Sequence, residues 1–308
     1  MPVLFRDSSK STNLTDQLTQ EFMNSIRCTQ YMASCLAIAI NERYKMDEEK
    51  INKAQEIVEF TKKIGKAATE EYLSAMFASG AVKEFIDEKI LSFAKWLGPN
   101  GAEKYFKAIT KAKVPARREQ TKIRHELLTS KEFFSAVKKL NKSVAGEYFL
   151  AIATTGEVEN LVDDRVFNFI IDLNKRSPVA AAEYFKAIRV TGATDLLTKK
   201  ELFTFVKSIE NPETLFHYFA TPTSYEDVRL LTDLRILARY DFINKLKSEI
   251  AAGYFCAIVS TKGVDTLTHN QIVERAELLN DIGTRSAWEW FYTAGELGWH
   301  EKELASGY

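Results

Sequence analysis

The chain has 308 residues, with 42 Lys or Arg, 42 Asp or Glu, 45% hydrophobic residues, 13 Gly and 6 Pro. This composition excludes a disordered chain, a collagen and a disulfide scaffold. The formal net charge of zero removes the simplest argument for a nucleic-acid or acidic-membrane partner, since such partners favour a basic surface. No apolar run of roughly 18 residues predicts a transmembrane helix, and the N-terminus lacks the apolar region of a secretory signal.

The N-terminal region begins with a polar stretch rich in Ser, Thr and Asp. Residues 1–20 predict a flexible lead-in, and the apolar residues within 22–40 predict one or two helices that close the first repeat unit. Cys28 and Cys35 fall in this region, and Cys256 is the third cysteine of the chain. An odd count without CxxC spacing favours buried thiols in a reducing, cytoplasmic compartment over disulfides.

An internal repeat is the strongest signal in the chain. The pattern Ala-x-x-Tyr-Phe-x-Ala-Ile has clear copies that begin at Ala102, Ala145, Ala181 and Ala251, and looser copies at 69–76, 212–219 and 287–294. With Leu215 taken as the Tyr equivalent of the copy at 212–219, the Tyr positions are 72, 105, 148, 184, 215, 254 and 290, a mean period near 36 residues. The apolar spacing is that of a helix, so each copy predicts a first helix, which we call helix A.

Each helix A is followed by a glycine and then by a second apolar stripe, which predicts a helix B. The glycines are Gly80, Gly156, Gly192, Gly263 and Gly298, and a glycine at this point is typical of a helix C-terminus. Three Thr-x-x-Glu/Gln sequences, which start at Thr129, Thr198 and Thr268, predict capping boxes at the start of helix B.

The repeat predicts an all-α fold, a right-handed α-solenoid of about seven to eight helical hairpins in a single domain that spans 21–308. The predicted units lie near 21–64, 65–98, 99–141, 142–175, 178–210, 211–247 and 248–282, with a C-terminal cap at 283–308. Over roughly residues 50–298 the chain resembles the α-solenoid superfamily of tetratricopeptide, pentatricopeptide and HEAT-type repeats. It lacks the Trp-x-x-Leu-Gly-x-x-Tyr sequence of the first family, and its helix B starts later after the glycine than the second allows. The resemblance implies a scaffold that presents a groove or curved face to a partner.

One step of the repeat is longer than the others because extra residues separate helix A from helix B at 110–125. Residues 101–143 contain twelve Lys or Arg against four Asp or Glu. This basic region, 104–142, predicts either a solvated loop or a site for an anionic partner such as nucleic acid. The candidate binding residues are Lys111, Lys113, Arg117, Arg118, Lys122 and Arg124. Aromatic residues for base stacking are not interleaved with the loop, which weakens the nucleic-acid interpretation.

The C-terminal copy concentrates three of the four tryptophans, at Trp288, Trp290 and Trp299, and predicts either a terminal cap or, if Trp299 is exposed, a contact site. No catalytic, cofactor-binding or metal-ligating residue is predicted, because the four histidines are scattered and no nucleotide-binding or hydrolase motif occurs. The recurring Glu71, Glu147, Glu183 and Glu289 form at most a ladder of carboxylates. We therefore expect a non-enzymatic scaffold for a protein or peptide. The first alternative is a nucleic-acid-binding repeat protein, and the second is a helical-repeat DNA glycosylase-like enzyme.

Overall fold

The structure is a computed structural model that describes residues 14–26, 28–111 and 118–297, apart from the side chains of 118–123, 276 and 277. The described residues form α-helices joined by turns and contain no strand, so the prediction of an all-α fold is confirmed. They divide into two compact units, residues 1–135 and residues 136–308, each of which is considered by itself.

The first unit is built from long helices. Its helices are α1 (Leu14–Ile26), α2 (Gln30–Arg43), α3 (Asp47–Ser79), α4 (Val82–Phe85), α5 (Glu88–Lys111) and α6 (Arg118–Thr129), and α7 (Lys131–Val137) crosses into the next unit. Both α3 and α5 contain a glycine with positive φ, Gly65 (81°) and Gly98 (75°), so each combines a helix B with the helix A that follows it. An L-residue with a side chain rarely adopts this conformation, which explains the glycine at each kink.

The second unit repeats a more regular arrangement. Its helices are α8 (Lys142–Thr155), α9 (Val158–Leu161), α10 (Asp164–Arg176), α11 (Pro178–Thr191), α12 (Thr194–Leu197), α13 (Lys200–Ser208), α14 (Pro212–Ala220), α15 (Tyr225–Leu231), α16 (Leu234–Leu237), α17 (Tyr240–Lys245), α18 (Ser248–Thr261), α19 (Val264–Leu267), α20 (Asn270–Val273), α21 (Ala276–Asp281) and α22 (Thr284–Leu297). The A helices α8, α11, α14, α18 and α22 pack against one another in chain order. A short helix such as α12 lies between each helix A and its helix B.

Six repeats share a buried tyrosine that performs the same task each time, and the C-terminal copy has Trp290 at this position. The hydroxyls of Tyr72, Tyr148, Tyr184, Tyr218 and Tyr254 each donate a hydrogen bond to the backbone carbonyl 13 residues further on, at 3.0–3.4 Å. That carbonyl belongs to the last residue of the short helix that follows helix A. A carbonyl at the end of a helix has no hydrogen-bond partner within the helix itself, so the tyrosine supplies one. Tyr105 donates in the same way to Leu128, 23 residues further on, because the basic insertion lengthens this repeat.

Aromatic contacts join each repeat to the next. The ring of Tyr148 contacts that of Phe185 edge-on at 5.1 Å, and the same contact joins Tyr184 to Phe219 at 5.3 Å and Tyr218 to Phe255 at 5.2 Å. The alanines three residues after the tyrosines, Ala75, Ala108, Ala151, Ala187 and Ala257, are all buried. Small alanines allow the A helices to approach closely while the aromatic rings fill the space beside them.

Two predictions about register and termini are wrong. Tyr218, and not Leu215, occupies the tyrosine position of its repeat, since Tyr218 makes the shared hydrogen bond and Leu215 lies three residues earlier, at the alanine position. Residues 14–20, predicted as part of a flexible lead-in, begin α1, because Leu18 and Phe22 form a buried stripe on this helix. Residues 1–13 lie outside the described residues. Cys28 precedes α2, Cys35 lies on α2, and both thiols are half-buried, less enclosed than the sequence predicts.

The predicted helix ends are partly confirmed. Gly80, Gly156 and Gly192 end their helices in the left-handed conformation, as expected. At the fourth site Lys262 takes this conformation instead of Gly263, and the fifth, Gly298, lies outside the described residues.

The three predicted capping boxes are wrong. Thr129, Thr198 and Thr268 each donate their hydroxyl to the carbonyl four residues earlier. They therefore belong to the end of the preceding helix, and the N-cap of helix B is the residue that follows, as with Lys199 and His269.

The B helices of the second unit are joined to the preceding repeat by asparagines. Asn244 accepts from the backbone N–H of Glu210 at 2.9 Å and donates to the carbonyl of Ser208 at 2.8 Å. Asn280 makes the equivalent bonds to Lys247 and Lys245. Each amide therefore satisfies backbone groups in the loop between two helices of the neighbouring repeat.

Candidate functional site

The A helices of the second unit bury one side and expose the other. In a helix, positions one before and two or five after the tyrosine point away from the buried tyrosine, phenylalanine and alanines. On α14 the residue two before the tyrosine lies on the same side. Of the side chains named next, that of Lys186 is exposed and the others are half-buried. We call the following residues the helix-A face: Glu147 and Leu150 on α8, Lys186 and Arg189 on α11, Phe216 and His217 on α14, Cys256 and Val259 on α18, and Tyr292 on α22.

Side-chain contacts on this face link α8 to α11, the end of α14 to α18, and α18 to α22 within the second unit. The Nε atom of Arg189 on α11 lies 3.7 Å from Oε2 of Glu147 on α8. Cys256 on α18 hydrogen-bonds Thr221, which follows α14, and burial raises the pKa of the Cys256 thiol. On the last pair of helices, the hydroxyls of Ser260 and Tyr292 lie 3.3 Å apart.

Two polar groups on the helix-A face are only partly satisfied. Nε of Arg189 and Nε2 of His217 are both inaccessible to solvent, and neither atom has a hydrogen-bond partner among the described residues. The His217 ring packs against Phe216 at 5.2 Å, which holds the imidazole beside an aromatic surface. Both nitrogens are therefore held beneath the helix-A face, where a buried polar atom without a hydrogen bond costs about 1–3 kcal/mol.

The helix-A face ends at a close contact between α18 and α22. Gly253 stands where α11 has Glu183, and a Cβ at Gly253 would lie 2.1 Å from Cδ1 of Trp288. Trp288 also donates its indole N–H to the carbonyl of Glu249 at 2.7 Å. The tryptophan therefore packs over the start of α18, and only glycine leaves room for it there.

The ladder of carboxylates is divided into separate ion pairs. Glu147 lies beside Arg189, and Glu183 pairs with Lys186 at 3.0 Å. Glu289 pairs with Arg285 at 3.1 Å. Within the part of the chain that the structure describes, no group of three or more His, Cys, Asp or Glu side chains is placed to hold a metal ion. The expectation that the chain has no catalytic, cofactor or metal residue stays a prediction.

The predicted basic residues belong to the first unit. Lys111 is the exposed last residue of α5, and the backbones of Arg118, Lys122 and Arg124 lie on α6. Lys113 and Arg117 lie outside the described residues. The structure thus places three of the six cations on one helix and does not test whether they bind a partner.

The inner side of α6 is anchored in the core of the first unit. His125 is 8% exposed, its Nδ1 lies 3.3 Å from Oε2 of Glu84, and its ring packs against Phe85 at 5.6 Å. Burial lowers the pKa of His125, and the carboxylates of Glu84 and Glu126 oppose that shift. At ordinary pH His125 is therefore a neutral core residue of α6.

Comparison with protein-family models, with curated proteins and with solved structures gives no match. No helix in the described ranges has both the length and the apolar character needed to cross a membrane.

Sequence reasoning missed Arg189, Phe216 and His217. Arg189 belongs to no recognisable motif. Phe216 and His217 do not stand out when the copy at 212–219 is aligned on Leu215, because this alignment places them at the wrong positions of the repeat. Alignment on Tyr218 puts His217 at the position of Glu147 and Glu183, one residue before the tyrosine. The signal is therefore present in the sequence, but it needs the correct register.

Proposed function

We propose that the chain is a non-enzymatic binding scaffold, an α-solenoid-like array of helical hairpins whose helix-A face binds a protein or peptide segment. This proposal depends on the observation that each repeat contains two sets of residues, one that stabilises the fold and one that is exposed. The tyrosine, phenylalanine and alanine recur and are buried in contacts within the fold, whereas the residues at the exposed positions of the A helices differ from one helix to the next.

The packing of the second unit supports an array of this kind. Each tyrosine joins its own helix A to the short helix that follows, and its ring contacts the phenylalanine of the next repeat. Asn244 and Asn280 add contacts between neighbouring repeats. Interactions that run only between adjacent units are typical of solenoid proteins, which use the row of exposed helices to bind extended partners.

The chemistry of the helix-A face fits a peptide. Leu150, Phe216, Val259 and Tyr292 supply half-buried apolar and aromatic surface, of the kind that contributes most to interfaces. Arg189, whose side chain keeps 34% of its surface exposed, offers a positive charge to a peptide carboxylate, and the half-buried ring of His217 adds aromatic surface.

The second candidate function, nucleic-acid binding through the basic region 104–142, is favoured only by the local excess of cations. Such binding depends strongly on salt, because cations on the protein displace counterions from the phosphates. The candidate cations Lys111, Arg118, Lys122 and Arg124 lie in the first unit and the helix-A face lies in the second, so the two functions can be tested separately.

The proposal can be tested by selecting peptides from a random-sequence display library on the intact chain. We expect at least one selected peptide to bind, and its affinity to fall about tenfold or more, equivalent to about 1.4 kcal/mol, in the variants Arg189→Glu and Phe216→Ala. Lys175→Glu, an exposed cation near the end of α10, is the matched control and should leave the affinity unchanged. Circular dichroism would check that each variant folds.

Failure to select any peptide, or equal affinity in all variants, would contradict the helix-A face as the binding site. Titration of labelled single- and double-stranded nucleic acids over a range of salt concentrations tests the alternative. Affinity that falls with salt and is lost on charge reversal of Lys111, Arg118, Lys122 and Arg124 would favour the nucleic-acid function.

A further inference from the structure

A hollow of about 360 Å³ lies between the B helices α10 and α13 of the second unit. We call it the α10–α13 hollow, and its lining residues are Arg165, Asn168, Phe169, Thr198, Lys200, Phe203, Thr204 and Lys207. The lining, which falls wholly within the described residues, contains three cations and no carboxylate. Phe203 forms one wall, half-buried and stacked on Phe169 with ring centroids 4.1 Å apart.

A second hollow occupies the equivalent place two repeats later, between residues 235–239 and 265–270. There Arg235 pairs with Asp233 of its own repeat and also with Asp265 of the next repeat. Arg239 donates to the carbonyl of Thr268 at 2.5 Å and to Oδ1 of Asn270 at 3.0 Å. Both arginines of the second hollow are therefore bonded to other groups of the protein, although Nε of Arg239 has no hydrogen-bond partner among the described residues.

The cations of the α10–α13 hollow are less completely neutralised by the protein. Arg165 is the counterpart of Arg235 and bonds Asp163 of its own repeat through Nε and Nη2, at 2.9 and 3.1 Å. The counterpart of Asp265 is Asp195, but Asp195 accepts a hydrogen bond from the Tyr225 hydroxyl at 2.8 Å instead. Among the described residues no ion pair joins Asp195 to Arg165, so Arg165 keeps Nη1 for another acceptor.

Lys200 and Lys207 are a further difference between the two hollows. Both are exposed, and neither forms an ion pair with another described residue. In the second hollow the counterpart of Lys200 is Asn270, the first residue of α20, which is uncharged. Two free ammonium groups and one free guanidinium nitrogen thus surround the α10–α13 hollow.

We propose that the α10–α13 hollow binds a phosphate monoester. At neutral pH this group carries a charge between −1.5 and −2, roughly, and three acceptor oxygens, which suit two ammonium groups and an arginine N–H. The Phe203 ring provides apolar contact for a flat group attached to the phosphate. The site lies on the B helices, and it does not depend on binding at the helix-A face.

Phenyl phosphate, which combines the dianion with an aromatic ring, is the probe that tests this site. Isothermal titration of the intact chain should show binding of phenyl phosphate, with weaker binding of inorganic phosphate and of benzoate. Lys200→Gln and Lys207→Gln should each weaken the affinity about tenfold, and higher salt should weaken it further, since the contacts are ionic. Lys245→Gln, an exposed lysine of α17 outside the hollow, is the matched control.

The source of the phosphate is then distinguished by comparing a phosphotyrosine peptide with a nucleoside monophosphate. Tighter binding of either one identifies the carrier, and both results support the site. The proposal is overturned if phenyl phosphate does not bind, if benzoate binds as tightly, or if the two lysine variants and the Lys245→Gln control behave alike. Because Lys200 and Lys207 are exposed, the variants should keep the melting temperature of the unmodified chain.

Discussion

Replacing Tyr184 by Phe removes one hydroxyl from the core and leaves the ring in place. That hydroxyl donates at 3.1 Å to the carbonyl of Leu197, the last residue of α12, and the tyrosine is fully buried. Without the donor the carbonyl loses a partner it cannot replace from solvent, which costs about 1–3 kcal/mol. The contacts of the ring with Phe169 and Phe219, both at 5.3 Å, are retained. Tyr184→Ala should cost more, about 3–5 kcal/mol, because it also leaves a cavity.

Urea unfolding of the intact chain, followed by far-ultraviolet circular dichroism, measures these differences. Tyr292→Phe is the matched control, because its hydroxyl lies on the surface beside Ser260. The control should change the free energy of unfolding by no more than about 0.5 kcal/mol. If Tyr184→Phe proved as mild as Tyr292→Phe, the shared tyrosine hydrogen bond would not be what stabilises each repeat.

Three further predictions concern packing, the contacts between repeats and pH. Gly253→Ala should destabilise the fold by about 1–3 kcal/mol, because its Cβ would overlap Trp288, and the double variant with Trp288→Ala should recover part of the loss. Asn244→Ala should cost about 1–3 kcal/mol by leaving backbone groups of the preceding loop unsatisfied, whereas Asn168→Ala on the exposed side of α10 should cost little. Burial raises the pKa of Tyr105 and Tyr148 well above that of free tyrosine, so their contribution to stability is complete below about pH 10 and falls as the pH rises further. Each such tyrosine should lower the free energy of unfolding by about 1.4 kcal/mol per pH unit in that range.

Each of these predictions has a clear contrary result. A double variant of Gly253 and Trp288 whose loss equals the sum of the single losses would argue against steric overlap. Equal melting temperatures for Asn244→Ala and Asn168→Ala would show that the hydrogen bonds of Asn244 do not stabilise the contact between repeats. In the alkaline titration, tyrosinate absorbance should rise together with the loss of helical signal. Ionisation of all tyrosines before unfolding would show that they are accessible in the folded chain.

Much of the fold could be predicted from the sequence because one set of apolar residues recurs at helical spacing. Tyr148, Tyr184 and their alanines were correctly predicted as core, since burial of the same stripe is required in every unit. The short helices are not predicted by the sequence, because four residues such as 194–197 carry too little periodicity to identify a helix. The prediction of capping boxes is wrong for the same reason. Thr198 follows the short helix 194–197, which the sequence does not predict, and therefore does not begin helix B.

The candidate site was harder to predict than the core. Binding positions such as Arg189 and His217 do not recur, so a search for repeated residues passes over them. The charge of the α10–α13 hollow depends on whether Asp195 pairs with Arg165. Asp195 instead accepts a hydrogen bond from Tyr225 of the next repeat, 30 residues away, which the sequence pattern does not predict. The basic residues were visible in the sequence as a local excess of charge, but charge alone does not say which partner they meet.

The most direct test of the scaffold function is a nuclear magnetic resonance titration of the intact chain with a peptide selected from the display library. The account predicts that the amide signals that shift will cluster on α8, α11 and α14 around Arg189 and His217. Shifts confined to α6 and its neighbours, or to the α10–α13 hollow, would contradict the helix-A face as the surface that binds the partner.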